Sequence, residues 1–547
     1  MQEVSRHDSY LYIKNFHRFK SPIKFPLRRF TILLGPNGSG KSALSNAIII
    51  FHTSISSLNV SPEKRKSYFR KNYFYQLIKK MGEIFILRYE SPVDYYLEFH
   101  YCKSGDFIDI ASFEFGKIDS NDEKRIFIKF EPAKPKSEYL KNVRYDDVVD
   151  NFNNELRNSQ IKNLFINELS EYLEEIESSF VTYVIKSLQK PEYWHVSYIS
   201  KELINQYIGD RKINIKLLKL LLFHHKTAMN SINSGLKIIE HGLKNPYARP
   251  LTVLDFYVDE YGLSALNELN ILEYYETLKF SIELTLLLYR EMEDCILGWT
   301  AHPSVFTIIP ETRISPPEYL EIENEKIKVD YSSFLEYWLE LNEKEISYKK
   351  KFLKELKLFE IADNVLIKKI GNLTEKTKYF QIFLKYKERW FPINNLSSGG
   401  KQILPIIISL FKNRGGFFII KQPELHLHPK LQMKLPELLL RRIEDEPMTS
   451  LGSDKVHPRY GFVLETHSEH IIRKFQLLVA SSASKFLTNK DISIIYVQPD
   501  KKSLTSSIKV MELDEKGNFI DNWPAGFFDE SAELSYALLE AQLKRKN

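Results

Sequence analysis

Gly35-Pro36-Asn37-Gly38-Ser39-Gly40-Lys41-Ser42 is a complete G-x-x-x-x-G-K-[ST] loop, set directly after the apolar run Phe30-Thr31-Ile32-Leu33-Leu34. Glycines let the backbone curl so that successive N–H groups point at phosphate oxygens. The helix that follows presents its positive end to the same anion. Ala43 to Phe51 carries the helical pattern this requires. Strand, loop and helix in that order predict a nucleotide site, with Lys41 reaching the β- and γ-phosphates and Ser42 ligating Mg²⁺. The expected cofactors are therefore ATP and Mg²⁺.

Strands alternate with helices around this loop, which argues for a mixed, largely parallel sheet in an α/β fold. Tyr10 to Ile13 reads as a strand, followed after the loop helix by Ile84 to Tyr89, Tyr95 to Tyr101 and Arg125 to Phe130, each rich in aromatic and branched residues. The middle of the chain changes to helical spacing, at Ile213, Leu217, Leu220 and Leu221 and at Leu278, Ile282 and Leu286. Phe334 to Phe359 reads as a long helix with a basic second half, and Trp194 to Ile199 as a short strand within the helical block. Strand pattern returns at Val365 to Ile370 and Tyr379 to Tyr386. The expected organisation is one ATPase head built from both ends of the chain, residues 1–134 and 365–547, interrupted by a mainly helical insertion at 135–364.

Three further segments carry chemistry. Leu396-Ser397-Ser398-Gly399-Gly400-Lys401 precedes an apolar helix from Ile403 to Phe411, and a serine with glycines at a helix start makes a second anion site. Phe417-Phe418-Ile419-Ile420-Lys421-Gln422-Pro423-Glu424 ends one buried strand, and Tyr460 to Leu464 leads into Glu465-Thr466-His467-Ser468 at the end of another. Two phosphate-binding helix ends on one head point to a head-to-tail dimer that sandwiches two nucleotides.

Together these motifs resemble the ABC-type ATPase heads of the SMC, RecF and OLD group, and most closely the compact bacterial members labelled AAA-family proteins. Those carry a Pro-Glu-Leu-His-Leu-His-Pro segment, matched by Pro423 to Pro429, and a Glu-Thr-His-Ser-Glu-His segment, matched by Glu465 to His470. Their C-terminal signature is matched by Asn522 to Glu530. The resemblance covers roughly 1–60 and 365–535. It implies that Ser398, with Gly399 and Gly400, meets the γ-phosphate held by the partner subunit, that His467 is the switch histidine, and that His426 and His428 lie at the dimer seam. A His-x-His pair also suits a metal, although no third ligand is evident nearby. His224-His225 reads as surface or core, and Gln76 stands as a weak candidate for the glutamine that contacts Mg²⁺ in such folds.

The chain departs from that family at the end of its second motif strand. An aspartate that helps hold Mg²⁺ is replaced by Lys421, and an ammonium has no lone pair. The glutamate that polarises water is replaced by Gln422, which orients water without usefully accepting a proton. Glu424 is the nearby carboxylate left to substitute. Ser397 and Lys401 also depart from the signature, where leucine and glutamine are usual. ATP is thus expected to bind firmly and turn over slowly or not at all.

Proteins with these motifs are frequent in Septu-type and retron anti-phage systems, where the ATPase assembles with an HNH nuclease and, in retrons, with a reverse transcriptase and its DNA–RNA product. The resemblance implies an ATP-gated scaffold or sensor that controls such a nuclease. Two other readings stay open: a DNA-repair ATPase of RecF or SMC type, and a self-sufficient nuclease with an unrecognised site in the middle region. No Asp-x-Asp pair follows His467 and no His-Glu-x-x-His motif occurs. The net charge of +6 over 547 residues permits contact with nucleic acid without requiring it. Cys102 and Cys295 give no disulfide framework. The start lacks a signal-like apolar stretch, and no run reaches the ~20 apolar residues of a spanning helix. The expected setting is cytoplasmic, with no membrane contact.

Overall fold

The computed structural model describes residues 8–58, 84–132, 194–222, 271–299, 306–311, 320–327, 346–445 and 460–521, apart from a few positions within them, together with isolated residues such as Arg65, Arg313 and Trp338. Gln76, His224-His225, the tail segment 522–530 and most of 135–270 lie outside the described residues.

The first elements are β1 (Ser9–Lys14), β2 (Ile23–Leu27), β3 (Phe30–Leu34), α1 (Lys41–Ser57), β4 (Ile84–Glu90), β5 (Tyr95–Ser104), β6 (Phe107–Ile118) and β7 (Lys124–Pro132). Next come β8 (Trp194–Ile199), α2 (Lys201–Ile208), α3 (Ile215–Leu221), α4 (Ile271–Trp299), β9 (Phe306–Ile309), β10 (Leu320–Glu323), β11 (Lys326–Ile327) and α5 (Ile346–Leu358). The last group is β12 (Asn364–Thr374), β13 (Thr377–Tyr386), β14 (Arg389–Pro392), α6 (Ser398–Lys412), β15 (Gly416–Lys421), α7 (Pro429–Gln432), α8 (Lys434–Asp445), β16 (Tyr460–Glu465), α9 (Glu469–Ala480), β17 (Ile492–Pro499) and β18 (Ser506–Met511). The chain divides into two compact units, one of Met1–Lys24 and Ala47–Trp299, the other of Phe25–Asn46 and Thr300–Asn547.

In the first unit β1, β4, β5, β6, β7 and β8 pair antiparallel, each with the next. The period of two sorts their side chains onto two faces. Phe85, Leu87, Leu97, Phe99, Tyr101 and Phe113 form a buried apolar face, with Phe85 and Tyr101 stacked at 4.5 Å. The opposite face carries buried charge. Glu98 and Glu114 stand opposite each other in register, an arrangement that repels. Lys124 lies between them, 2.8 Å from one carboxylate and 2.7 Å from the other. Arg88 contacts Glu90 at 2.7 Å and Glu98 at 3.4 Å. The strand β6 was not expected from the sequence, whereas β8 was.

The second unit holds a sheet ordered β18-β17-β3-β16-β15-β9, parallel from β17 to β9, with β18 antiparallel at one edge. Strands buried on both faces must be apolar throughout. FTILL in β3 and GFFIIK in β15 are buried at every position. β3 from the early part of the chain and β15 to β18 from the later part thus share one largely parallel sheet. The middle adds an unexpected strand, β9, beside β15. A second sheet runs β11-β10-β13-β12, with β14 on β13. The core gathers Phe30, Phe462, Phe475, Leu404, Ile407 and Leu439. No helix among the described residues is long and apolar enough to cross a membrane.

Candidate functional site

The strand order sets the place of the site. β3 lies between β16 and β17, so its C-terminal end opens at a switch in strand order, where α/β sheets bind ligands. The glycine loop leaves β3 there. Gly35 has φ of +142°, and a Cβ on it would stand 2.4 Å from the Val497 carbonyl oxygen of β17. Only glycine fits that approach. Lys41 and Ser42 open α1. The Lys41 ammonium donates to the carbonyls of Gly35 at 2.8 Å and Pro36 at 3.0 Å, folding back over the loop. Burial lowers its pKa to about 8, although Glu465 and Glu424 act in the opposite sense. The Ser39 hydroxyl is buried in the loop without a hydrogen-bond partner.

β15 and β16 end side by side, with Lys421 registered opposite Glu465. Ser42 Oγ donates to Glu465 Oε2 at 2.8 Å, and Lys421 Nζ stands 3.5 Å from Glu465 Oε1 and 3.4 Å from Asn46 Oδ1. Gln422 extends the ladder by one bond, its N–H donating to the Glu465 carbonyl at 2.7 Å, then turns the chain with φ of +44°. Arg313 braces the turn. It donates to the Lys421 carbonyl at 2.7 Å and to Gln402 Oε1 in α6 at 2.8 Å.

Glu424 and His467 meet just beyond. Glu424 accepts from Thr466 Oγ1 at 2.8 Å and from the His467 N–H at 2.7 Å. Burial raises its pKa, outweighing those bonds. Burial, and then the nearby Lys41 charge, lower that of His467. The imidazole is therefore neutral at pH 7, and its Nε2 is buried without a hydrogen-bond partner.

The signature-like loop sits at the start of α6. Ser397 caps the helix, accepting from the Gly400 N–H at 3.1 Å, while Ser398 begins it and is exposed. The serine that departs from the signature is therefore the helix cap. A Cβ on Gly399 would stand 2.8 Å from the His426 carbonyl oxygen, so the glycine lets α6 dock on the 423–429 segment. His426 and His428 are exposed around buried Leu427, and His428 Nδ1 caps α7 by accepting from the Lys430 N–H at 3.3 Å. The group that could hold a metal by donor proximity among the described residues is Glu98, His100 and Glu114 instead, where the Lys124 ammonium already lies between the carboxylates.

Lys41, Ser42, Lys421, Gln422, Glu424 and His467 thus gather at the strand ends, while Ser398, Gly399 and Gly400 lie at the start of α6, where Gly399 meets the His426 carbonyl. Three residues of the cluster were not singled out as site residues from the sequence: Glu465, Asn46 and Arg313. Glu465 ended a recognised motif, but its contact with Ser42 depends on strand order, which no local spacing shows.

Residues 9–472 match the family described as an AAA ATPase domain. The chain belongs to this family, and such a domain implies nucleotide binding. Residues 487–536 match a second family, described as a protein of unknown function (DUF3696). No curated protein matches the chain. Among solved structures it is similar to the Smc head domain with an extended coiled coil bound to the C-terminal domain of ScpA from Pyrococcus furiosus, at 12% identity over 92% of this chain and 96% of that one, TM-score 0.32. It is also similar to the Smc head domain with a coiled coil and joint from Pyrococcus yayanosii, at 12% identity over 93% and 98%, TM-score 0.34. The SMC head domain from Thermotoga maritima matches at 10% identity over 93% and 100%, TM-score 0.29.

Proposed function

We propose that the chain is an ATP-binding subunit of ABC type whose nucleotide clamps two copies head to tail and turns over slowly, and that this clamp is the scaffold or sensor for a partner nuclease, of HNH type, in an anti-phage complex. The observation that carries the clamp is the tip of β15. Lys421 and Gln422 occupy the positions of acid and base, and Gln422 cannot take a proton from water at neutral pH. Glu424, the acid nearest in sequence, already accepts two hydrogen bonds.

The rest of the site suits holding. Lys41 and the loop N–H groups would grip the phosphates, and the helix end of α1 faces the same anion. His467, neutral and with Nε2 unpartnered in a buried place, suits a residue that completes its hydrogen bonding when a γ-phosphate arrives. Exposed Ser398 at the start of α6 suits contact with a phosphate on a second copy. The nuclease and defence setting is supported by the motifs at Pro423 to Pro429 and Glu465 to His470. The reverse transcriptase and DNA–RNA product of retrons belong to the same setting.

ATP turnover by the purified chain, beside a Lys421→Asp, Gln422→Glu double variant and with ATP binding measured in parallel, tests the clamp. The expected result is firm binding, little turnover in the wild type and a gain in the variant. Brisk wild-type turnover stimulated by duplex DNA would replace the clamp with a RecF- or SMC-like repair ATPase. For the partner, the expected result is ATP-dependent co-elution with an HNH nuclease. Metal-dependent DNA cutting by the chain alone would count against a separate nuclease.

A further inference from the structure

A glycine-loop site with a lysine in place of its strand-end acid leaves open what positions the loop serine. The answer lies one strand over. Glu465, at the tip of β16, is 2% exposed and takes the Ser42 hydroxyl proton donor on Oε2 at 2.8 Å. Its second oxygen, Oε1, receives no hydrogen bond and faces the Lys421 ammonium at 3.5 Å. Lys421 is itself 6% exposed and donates to Asn46 Oδ1, on the turn of α1 after Ser42, at 3.4 Å. A buried carboxylate with an oxygen left open is costly unless a charge or ligand meets it. Here the open oxygen lies next to the hydroxyl that the loop motif assigns to a divalent cation.

We propose that Glu465 is the metal-positioning carboxylate of this site, supplied by β16 in place of an acid on β15, and that the Lys421 ammonium is the resident cation that faces its open oxygen before a metal arrives. The proposal rests on the nucleotide-site reading above. The residues fit Mg²⁺, which takes hard oxygen donors and is usually bound through one or two carboxylates, waters and phosphate oxygens. Ser42 and Glu465 supply a hydroxyl and a carboxylate oxygen at hydrogen-bond distance from each other. When bound, the ion would neutralise phosphate charge. Lys421 adds a second consequence: a fixed positive charge 3.5 Å from the carboxylate opposes an incoming dication. Mg²⁺ should therefore strengthen ATP binding less in the wild type than after the lysine is neutralised.

The test is ATP affinity by calorimetry in Mg²⁺ and in EDTA for the wild-type chain, Glu465→Gln and Lys421→Met. The spectrum of bound Mn²⁺ with ATP is recorded as a second readout. Glu465→Gln keeps the size and an acceptor for Ser42, so it should fold, which melting checks. The expected result is a wild-type gain in affinity from Mg²⁺ that falls by roughly 10- to 100-fold in Glu465→Gln, with EDTA affinity preserved and the Mn²⁺ signal lost. Lys421→Met should enlarge the gain. An unchanged gain in a folded Glu465→Gln protein that still binds ATP overturns the role of Glu465 alone. A smaller gain in Lys421→Met overturns the role given to Lys421. Failure of the wild type to bind ATP in either buffer overturns the nucleotide site, and this proposal with it.

Discussion

Glu424 accepts the main-chain N–H of His467 at 2.7 Å, so the acid that follows β15 fastens the loop that follows β16. With Thr466 Oγ1 on its other oxygen, it is placed as an anchor. Glu424→Ala would strand two donors, one of them on fully buried Thr466, and should cost roughly 1–3 kcal/mol. Glu424→Gln can accept from His467 and donate to Thr466. Burial raises the Glu424 pKa, so its ionised form costs stability at neutral pH and that cost is relieved as pH falls through the raised value. The glutamine variant removes that cost and should match or exceed wild-type stability in urea, and keep whatever turnover the wild type has.

Lys41 should impose a pH signature on binding. Burial lowers its pKa to about 8, below that of a free lysine, so between the two values the folded chain holds fewer protons than the unfolded one. Lys41's contribution to stability therefore rises with pH in that window. ATP affinity moves the other way, because the phosphates need the ammonium. Calorimetric titrations should show affinity falling above pH 8 by up to about tenfold per unit. Lys41→Ala should bind poorly at every pH and lose that slope.

The charged face of the first unit makes a separate prediction. Glu98 touches Lys124 at 2.8 Å, Arg88 at 3.4 Å and His100 at 2.9 Å. Glu98→Ala takes a shared carboxylate from buried Arg88 and from the more exposed Lys124, which keep Glu90 and Glu114 as partners, and should cost roughly 1–3 kcal/mol. Burial opposes its charge, but His100 and Lys124 outweigh this and hold its pKa low. That stability is complete above the ordinary carboxylate value of about 4 and is lost as pH falls through the depressed one. Melting temperature should drop more steeply there for the wild type than for Glu98→Gln.

Gly399→Ala tests whether the seat of α6 matters for pairing of heads. The new methyl would stand 2.8 Å from the His426 carbonyl oxygen, so helix and segment must separate, at roughly 1–3 kcal/mol. The phosphate loop is untouched. Light scattering should show a weakened ATP-dependent dimer, while calorimetry shows ATP affinity close to wild type.

What could be read in the sequence was local. The glycine loop declares itself because strand, turn and helix start are consecutive, and β15 because the apolar run Phe417 to Ile420 leads into Lys421, with Pro423 just beyond. Lys421 and Gln422 were legible as departures for the same reason. The acid at Glu465 was visible as a letter but not as a partner of Ser42, since their meeting depends on β16 lying between β3 and β15. β9 escaped because Phe306-Thr307-Ile308-Ile309 is four residues long and has no motif after it. β6 escaped because the alternation of Ile108, Asp109 and Ile110 changes phase at Ala111-Ser112, where the register with β5 also shifts, before resuming at Phe113, Glu114 and Phe115. Arg313 acts through main-chain carbonyls, which no residue pattern advertises.

The place of β3 in its sheet has a consequence for synthesis. The phosphate loop follows a strand that ends at Leu34, yet the strands on either side of it begin at Tyr460 and Ile492. A chain growing from the ribosome carries the loop without the strands that shape it until residues 460–499 have been added. Contacts so distant along the chain form late. Nucleotide therefore has no finished site to bind until β16 and β17 have both been made, so assembly gated by ATP would wait for them.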